Sequence, residues 1–112
     1  MLAYAIPAQK LATTVVKVGN SSGRNVTDKF AAFRLTKAAA KCVAPPLVAE
    51  CFANLECEVI DTRFVAKYCL FVIEVVQAWI DPAQKNPKTI HHQGKGVFMI
   101  AGETIKLPSK MK

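Results

Sequence analysis

The sequence predicts a β-rich α+β fold with at least four strands and one or two short helices. Three observations carry that prediction. Helical spacing of apolar residues is confined to the first third of the chain, at Leu11, Val15, Val16 and Val18 and again from Phe30 to Phe33. From Leu47 onward the period drops to two, with Leu55, Cys57, Val59 and Asp61 alternating with Glu56, Glu58 and Ile60. Val, Ile, Phe and Tyr then crowd into Lys67 to Ile80. Helical signals followed by strand signals, without regular βαβ alternation, point to α+β and away from a parallel doubly wound sheet.

Taken in order, residues 2–6 read as a strand stopped by Pro7. Residues 8–18 read as a short helix, and Gly19 to Arg24 (GNSSGR) as a turn-rich break. Thr27 or Asn25 is placed to cap a second helix that starts at Asp28. Alanine propensity extends that helix to Ala40, and Pro45-Pro46 then forces an extended segment. The two β runs, 55–61 and 67–80, are expected to pair antiparallel with a turn near Arg63–Ala66. Asp81 to Lys88, with Pro82, Asn86 and Pro87, reads as a polar loop; Val97 to Ala101 reads as a last short strand before a lysine-rich tail.

The length, 112 residues, fits one domain spanning 1–112. An apolar share of 52% with 21% charged residues excludes a disordered chain. The net charge of +7 is unevenly placed. Residues 1–48 hold seven basic groups and one acid, residues 49–84 hold two basic groups and six acids, and residues 85–112 hold six lysines and Glu103. An acidic β centre is thus flanked by two basic segments. There is no contiguous Lys/Arg run and little aromatic–basic interleaving, which argues against nucleic acid as a partner. No stretch reaches the ~18 apolar residues of a membrane-spanning helix, and the N-terminus lacks the pattern of a signal peptide, so the chain reads as cytoplasmic. Cys42, Cys51, Cys57 and Cys69 show no metal-ligand spacing and read as reduced, mostly buried thiols, with no metal site.

Two polar clusters stand out. In the first, Gly19, Asn20, Ser21, Ser22, Gly23 and Arg24 precede Asp28 and Lys29 at a helix start. Exposed amides, hydroxyls and two cations are the parts of a phosphate site, although the segment matches neither GK[ST] nor GxGxxG and equally suits a solvated loop with a helix cap. In the second, His91, His92, Gly94, Lys95 and Gly96 place imidazoles beside flexible backbone, as either a ligand contact or a tight turn. No nucleophile–base order can be defended, so no catalytic residue is assigned. Glu56 and Glu58 read as a solvated strand face, and Trp79 and Phe71 as core or interface aromatics.

The run Gly19-x-x-Ser22-Gly23-Arg24-x-x-x-Asp28-Lys29-Phe30, then Leu35-Thr36, Ala44-Pro45-Pro46-Leu47-Val48-Ala49-Glu50-Cys51 and Asn54-Leu55-Glu56-Cys57, resembles the flavin reductase-like, flavoredoxin-type FMN-binding family. Leu70 to Val76 with Asp81, and His92-x-Gly94-x-Gly96-x-Phe98, resemble that family's following strand and final hairpin. The resemblance implies a Greek-key split β-barrel, usually a homodimer with FMN near the subunit interface. It implies NAD(P)H-dependent flavin reduction or FMN-mediated electron transfer. The implied cofactor-binding residues are Asn20, Ser22, Gly23, Arg24, Lys29 and His92, with Lys29 as the leading contact. Two departures accompany it. Arg34 stands where the family often has glycine before Leu-Thr, which is expected to lengthen the helix. The chain also aligns with the C-terminal portion of the family domain, without its first strands, so exposed edges are expected to need a second subunit. The alternatives are a non-enzymatic truncated barrel or assembly module without flavin, and a small basic nucleic-acid-binding domain.

Overall fold

A computed structural model describes residues 1–112. Its centre is a three-stranded antiparallel sheet in the order β1-β4-β5, built from β1 (Leu2–Ile6), β4 (Ala53–Asp61) and β5 (Val72–Ile80). Register sets Leu2 opposite Cys57 and Ile6 opposite Ala53 on one side of β4, and Ile80 opposite Ala53 and Val75 opposite Cys57 on the other. Two minor antiparallel pairs flank it, β2 (Lys37–Ala38) with β3 (Leu47–Val48), and β6 (Ile90–Gly94) with β7 (Val97–Ile100). The sheets do not close on one another. The helices are short: α1 (Ala12–Gly19), entered through a 3-10 turn at Gln9–Leu11, then α2 (Lys29–Ala32) and α3 (Val65–Tyr68).

The antiparallel pairing of the two long strands is as expected, but five local expectations are corrected. The helix expected from Asp28 to Ala40 stops at Ala32. Its cap is Asp28, whose carboxylate accepts a hydrogen bond from the Ala31 N–H at 3.2 Å, rather than Thr27 or Asn25. Arg34 does not lengthen this helix; it ends it. Its φ of 56° is left-handed, and the Leu35 N–H closes back on the Phe30 carbonyl at 2.8 Å. This is the conformation glycine adopts most freely at a helix C-terminus. Alanine propensity over Ala38–Ala40 then yields to tertiary partners, because Lys37–Ala38 pairs with Leu47–Val48 and the next amides turn to a buried acid. The strand expected from Lys67 begins only at Val72, because α3 occupies Val65–Tyr68 and Cys69 ends it at φ 51°.

The fifth correction is Glu56. It is fully buried, where a solvated strand face was expected; Glu58 is exposed, in line with that expectation. The Glu56 carboxylate accepts the Trp79 indole N–H at 2.6 Å and the backbone N–H groups of Lys41 and Val43 at 3.0 Å, with Cys42 donating as well. Burial opposes the charge, but these four donors together hold the carboxyl down at about 2. They also tie the irregular segment 41–43 onto the sheet. Asn54 does the same for β3, accepting from the Val48 N–H and donating to the Val48 carbonyl, both at 3.0 Å. Of the cysteines, Cys51 and Cys57 are buried while Cys42 and Cys69 are exposed; all four are free thiols.

The core is thin. Only Ala8, Val43, Leu47, Cys51, Ala53 and Cys57 are buried among apolar residues. The radius of gyration is 16.2 Å, against roughly 13 Å for a compact domain of this length. No helix is long and apolar enough to cross a membrane.

Candidate functional site

Two chain segments far apart in sequence meet beside α1. Ala8, just past β1, bridges Thr89, just before β6, and the Gln9 N–H donates to the Lys88 carbonyl at 2.7 Å. The Ala101 N–H, after β7, returns to the Thr89 carbonyl at 2.9 Å. The β6–β7 hairpin is thereby hung at the foot of α1. Its turn is tight, with Gly94 at φ 103°, Lys95 at 53° and Gly96 at 76°, so both glycines occupy backbone space that side chains rarely tolerate. The space between hairpin and helix is a cleft of about 350 Å³ lined by Val15, Val16, Gly19, Asn20, His92, Lys95, Gly96 and Phe98.

The cleft has an apolar wall and a polar rim. Val15 and Val16 come from α1, and Phe98 lies opposite His92 across the hairpin with ring centroids 4.9 Å apart. Asn20, Lys95 and His92 bring an amide, an ammonium and an imidazole to the rim. That set suits a flat ring bearing carbonyl groups, with a neighbouring anion.

The sequence-selected residues divide into three groups. Asn20 and His92 line this one cleft together, although 72 positions separate them in sequence. Ser22, Gly23 and Arg24 follow directly on the loop that leaves the cleft, all exposed. The Ser22 hydroxyl accepts the Arg24 N–H at 3.2 Å, which shapes the loop, and the Arg24 guanidinium has no hydrogen-bond partner. Lys29 takes a supporting position. Its ammonium donates to the Val18 carbonyl at 3.1 Å and the Ser21 carbonyl at 2.9 Å, holding the end of α1 and the loop against α2. Two of its three N–H groups are thus engaged. The tight turn at Gly94–Gly96 is present, and Lys95 and Gly96 of that turn line the cleft.

The sequence reading missed Val15, Val16 and Phe98 as cleft walls, because helical spacing marks a face as apolar without saying what it faces. It also missed Glu56 as an anchor. Cys51, buried beneath α1 and β3, has its thiol pushed up to about 11, first by burial and then by the Glu50 charge, which removes it as a nucleophile.

The comparisons with known proteins follow this geometry. Residues 6–98 match the family described as flavin reductase like domain. An uncharacterized protein of Archaeoglobus fulgidus is 34% identical over 84 residues, covering 75% of this chain and 47% of that protein. Among solved structures, an FMN-binding domain of a flavin reductases-like enzyme from Shewanella baltica superposes with a TM-score of 0.82 at 24% identity, over 95% of this chain and 62% of its own. The flavoredoxin of Desulfovibrio vulgaris gives 0.76 at 20% identity, over 96% and 62%. An FMN-binding protein from Thermus thermophilus, solved with bound p-hydroxybenzaldehyde, gives 0.72 at 21%, over 95% and 60%. These likenesses show the same β-rich α+β fold, and the chain spans about half to three-fifths of the length of the proteins it matches. With the family match extending from the end of β1 to the hairpin that closes the cleft, this chain belongs to the flavin reductase-like domain family.

Proposed function

We propose that this protein binds FMN in the cleft between α1 and the β6–β7 hairpin, and serves NAD(P)H-dependent flavin reduction or FMN-mediated electron transfer. The observation that carries the reading is the meeting of Asn20 with His92 across that cleft, beside a loop presenting a free guanidinium. His92 and Asn20 supply polar contacts to the ring system, and Phe98 and Val15 its apolar wall. Arg24 serves the phosphate with a fork of donors, assisted by Ser22 and the Gly23 backbone. Lys29 braces that loop and retains one N–H for the anion. Bound FMN would supply the redox chemistry, and the residues named here hold and orient it and tune its charge.

In this reading residues 1–112 form one domain, corresponding to the later strands of a Greek-key split barrel. The protein works in the cytoplasm as a homodimer, the second subunit covering apolar sheet that one chain leaves bare. The purified protein should be yellow, with flavin absorbance that persists through gel filtration or returns on adding FMN. A colourless protein that takes up no FMN refutes the proposal.

The bare β5 strand favours a second reading, an assembly module of the same fold without flavin. NAD(P)H oxidation in the presence of free FMN separates the two: turnover well above the cofactor blank excludes the module, and none supports it.

A further inference from the structure

Residues 1–48 carry seven basic groups and one acid, and several of these cations are already occupied. Lys29 holds the Val18 and Ser21 carbonyls, and Lys37 lies 3.6 Å from Asp28. Arg24 is assigned above to the flavin phosphate. Lys17 and Arg34 have neither an ion-pair partner nor a side-chain hydrogen bond within residues 1–112, and they converge. Both line a cleft of about 500 Å³ between α1 and the end of α2, together with Thr14, Ala32 and Phe33.

Two tied walls build this cleft. Thr14 and Lys17 stand three positions apart on α1, so their side chains are neighbours. By helical geometry their face is opposite the one carrying Val15, Val16 and Gly19. The cleft accordingly shares no lining residue with the flavin cleft. The other wall is the turn that ends α2, where the Phe33 N–H donates to the Lys29 carbonyl at 3.1 Å and the Leu35 N–H to the Phe30 carbonyl at 2.8 Å. Lys29 clamps the walls together through its bonds to the end of α1 and the loop that follows.

Charge, backbone and donor chemistry all favour an anion there. No carboxylate lines the cleft. The two acids nearest Arg34 in sequence are engaged elsewhere: Asp28 with the Ala31 N–H and Lys37, and Glu50 with the Thr36 N–H at 2.6 Å. Arg34 itself sits at φ 56°, where glycine would be relaxed. A long cationic side chain held on strained backbone marks a position where that side chain has a use. A guanidinium fork, an ammonium and a hydroxyl are complementary donors, and two positive charges suit a diphosphate better than a lone carboxylate.

We propose that Thr14, Lys17 and Arg34 form a second anion site, which takes a diphosphate group. Arg34 meets the group with its fork of N–H donors, Lys17 with a point charge and Thr14 with its hydroxyl. The group arrives either as free diphosphate or as the end of a nucleoside diphosphate. The site goes beyond the flavin reading and shares no residue with it, so a chain that takes up no FMN still binds here.

Calorimetric titration of the full chain at low salt, with inorganic diphosphate and separately with ADP, tests this. Saturable binding is expected for both. Tighter binding of ADP identifies a nucleoside diphosphate as the ligand, and equal affinity identifies free diphosphate. Arg34→Gly and Lys17→Met should each weaken binding by roughly tenfold, Arg24→Ala should weaken it less, and Lys110→Met, which removes the same charge elsewhere, should leave it unchanged. Arg34→Gly also relieves the left-handed backbone, so its thermal midpoint without ligand should hold or rise while its affinity falls. That combination separates a lost contact from a damaged fold. Three results overturn the proposal: no saturable binding of either probe, a loss in Lys110→Met equal to that in Arg34→Gly, or a larger loss in Arg24→Ala, which would put the diphosphate at the flavin loop.

Discussion

Strands β4 and β5 are nine residues each, antiparallel partners, and rich in apolar residues, yet their fates differ. β4 buries Ala53, Asn54, Glu56 and Cys57, whereas β5 buries nothing. A glutamate lies fully buried in one strand while an isoleucine, Ile80, is 65% exposed in its neighbour. Position in the sheet explains this. β4 has a strand on each side and the 41–48 segment bonded to it; β5 has one neighbour and an open edge. Burial here follows what lies alongside a strand more than the hydrophobicity of its own residues, and a buried carboxylate persists where four donors converge on it.

Substitutions can break this contrast in graded steps. The largest effect is expected at Glu56. Glu56→Gln removes the charge that four donors converge on and should lower the thermal midpoint by roughly ten degrees or more, whereas Glu58→Gln, in an exposed position, should move it by no more than about two. Thermal melts followed by far-UV circular dichroism measure both. Trp79→Phe comes next. It keeps an aromatic ring, though a smaller one, and removes one of the donors; a drop of roughly five degrees is expected, with the change suppressed when Glu56→Gln is already present.

The acid dependence shares the same origin. Glu56 has a folded pKa near 2, below its unfolded value of about 4.5, so its stabilisation is present above pH ~4.5 and is lost as pH falls toward 2. The lowered carboxyls of Asp28, held by the Ala31 N–H, and Asp61, held by Arg63, act in the same direction. Urea midpoints across that window should fall steeply in the native chain and more gently in Glu56→Gln. The smallest effect is expected at Arg34→Gly, which relieves a left-handed residue and should add about 0.5–1 kcal/mol of stability.

Much of this fold could be read from sequence, and the limits have physical causes. Period two marked the first long strand, the crowding of Val, Ile, Phe and Tyr marked the second, and Pro7, Gly19 and the Pro82–Pro87 loop marked true boundaries. The second helix was misjudged because alanine propensity is worth a few tenths of a kcal/mol per residue, less than the strand pairing and the Glu56 nest that compete for the same backbone. Arg34 concealed a left-handed turn that a glycine would have announced. Glu56 concealed a buried anchor, since alternation says which face a residue shares and not what packs there. For the site, composition and motif singled out Asn20 and His92 separately. Only the Ala8–Thr89 bridge, invisible to any local pattern, sets them across one cleft.

The most direct measurement of the central claim is a titration of FMN fluorescence with the native protein, with Arg24→Ala and with His92→Ala. The account predicts saturable quenching with the native chain, weaker binding by roughly tenfold in each variant, and an Arg24 effect that disappears when riboflavin, which lacks the phosphate, replaces FMN. Saturable quenching that neither substitution alters would contradict the assignment of this cleft, and no quenching at any protein concentration would contradict flavin binding itself.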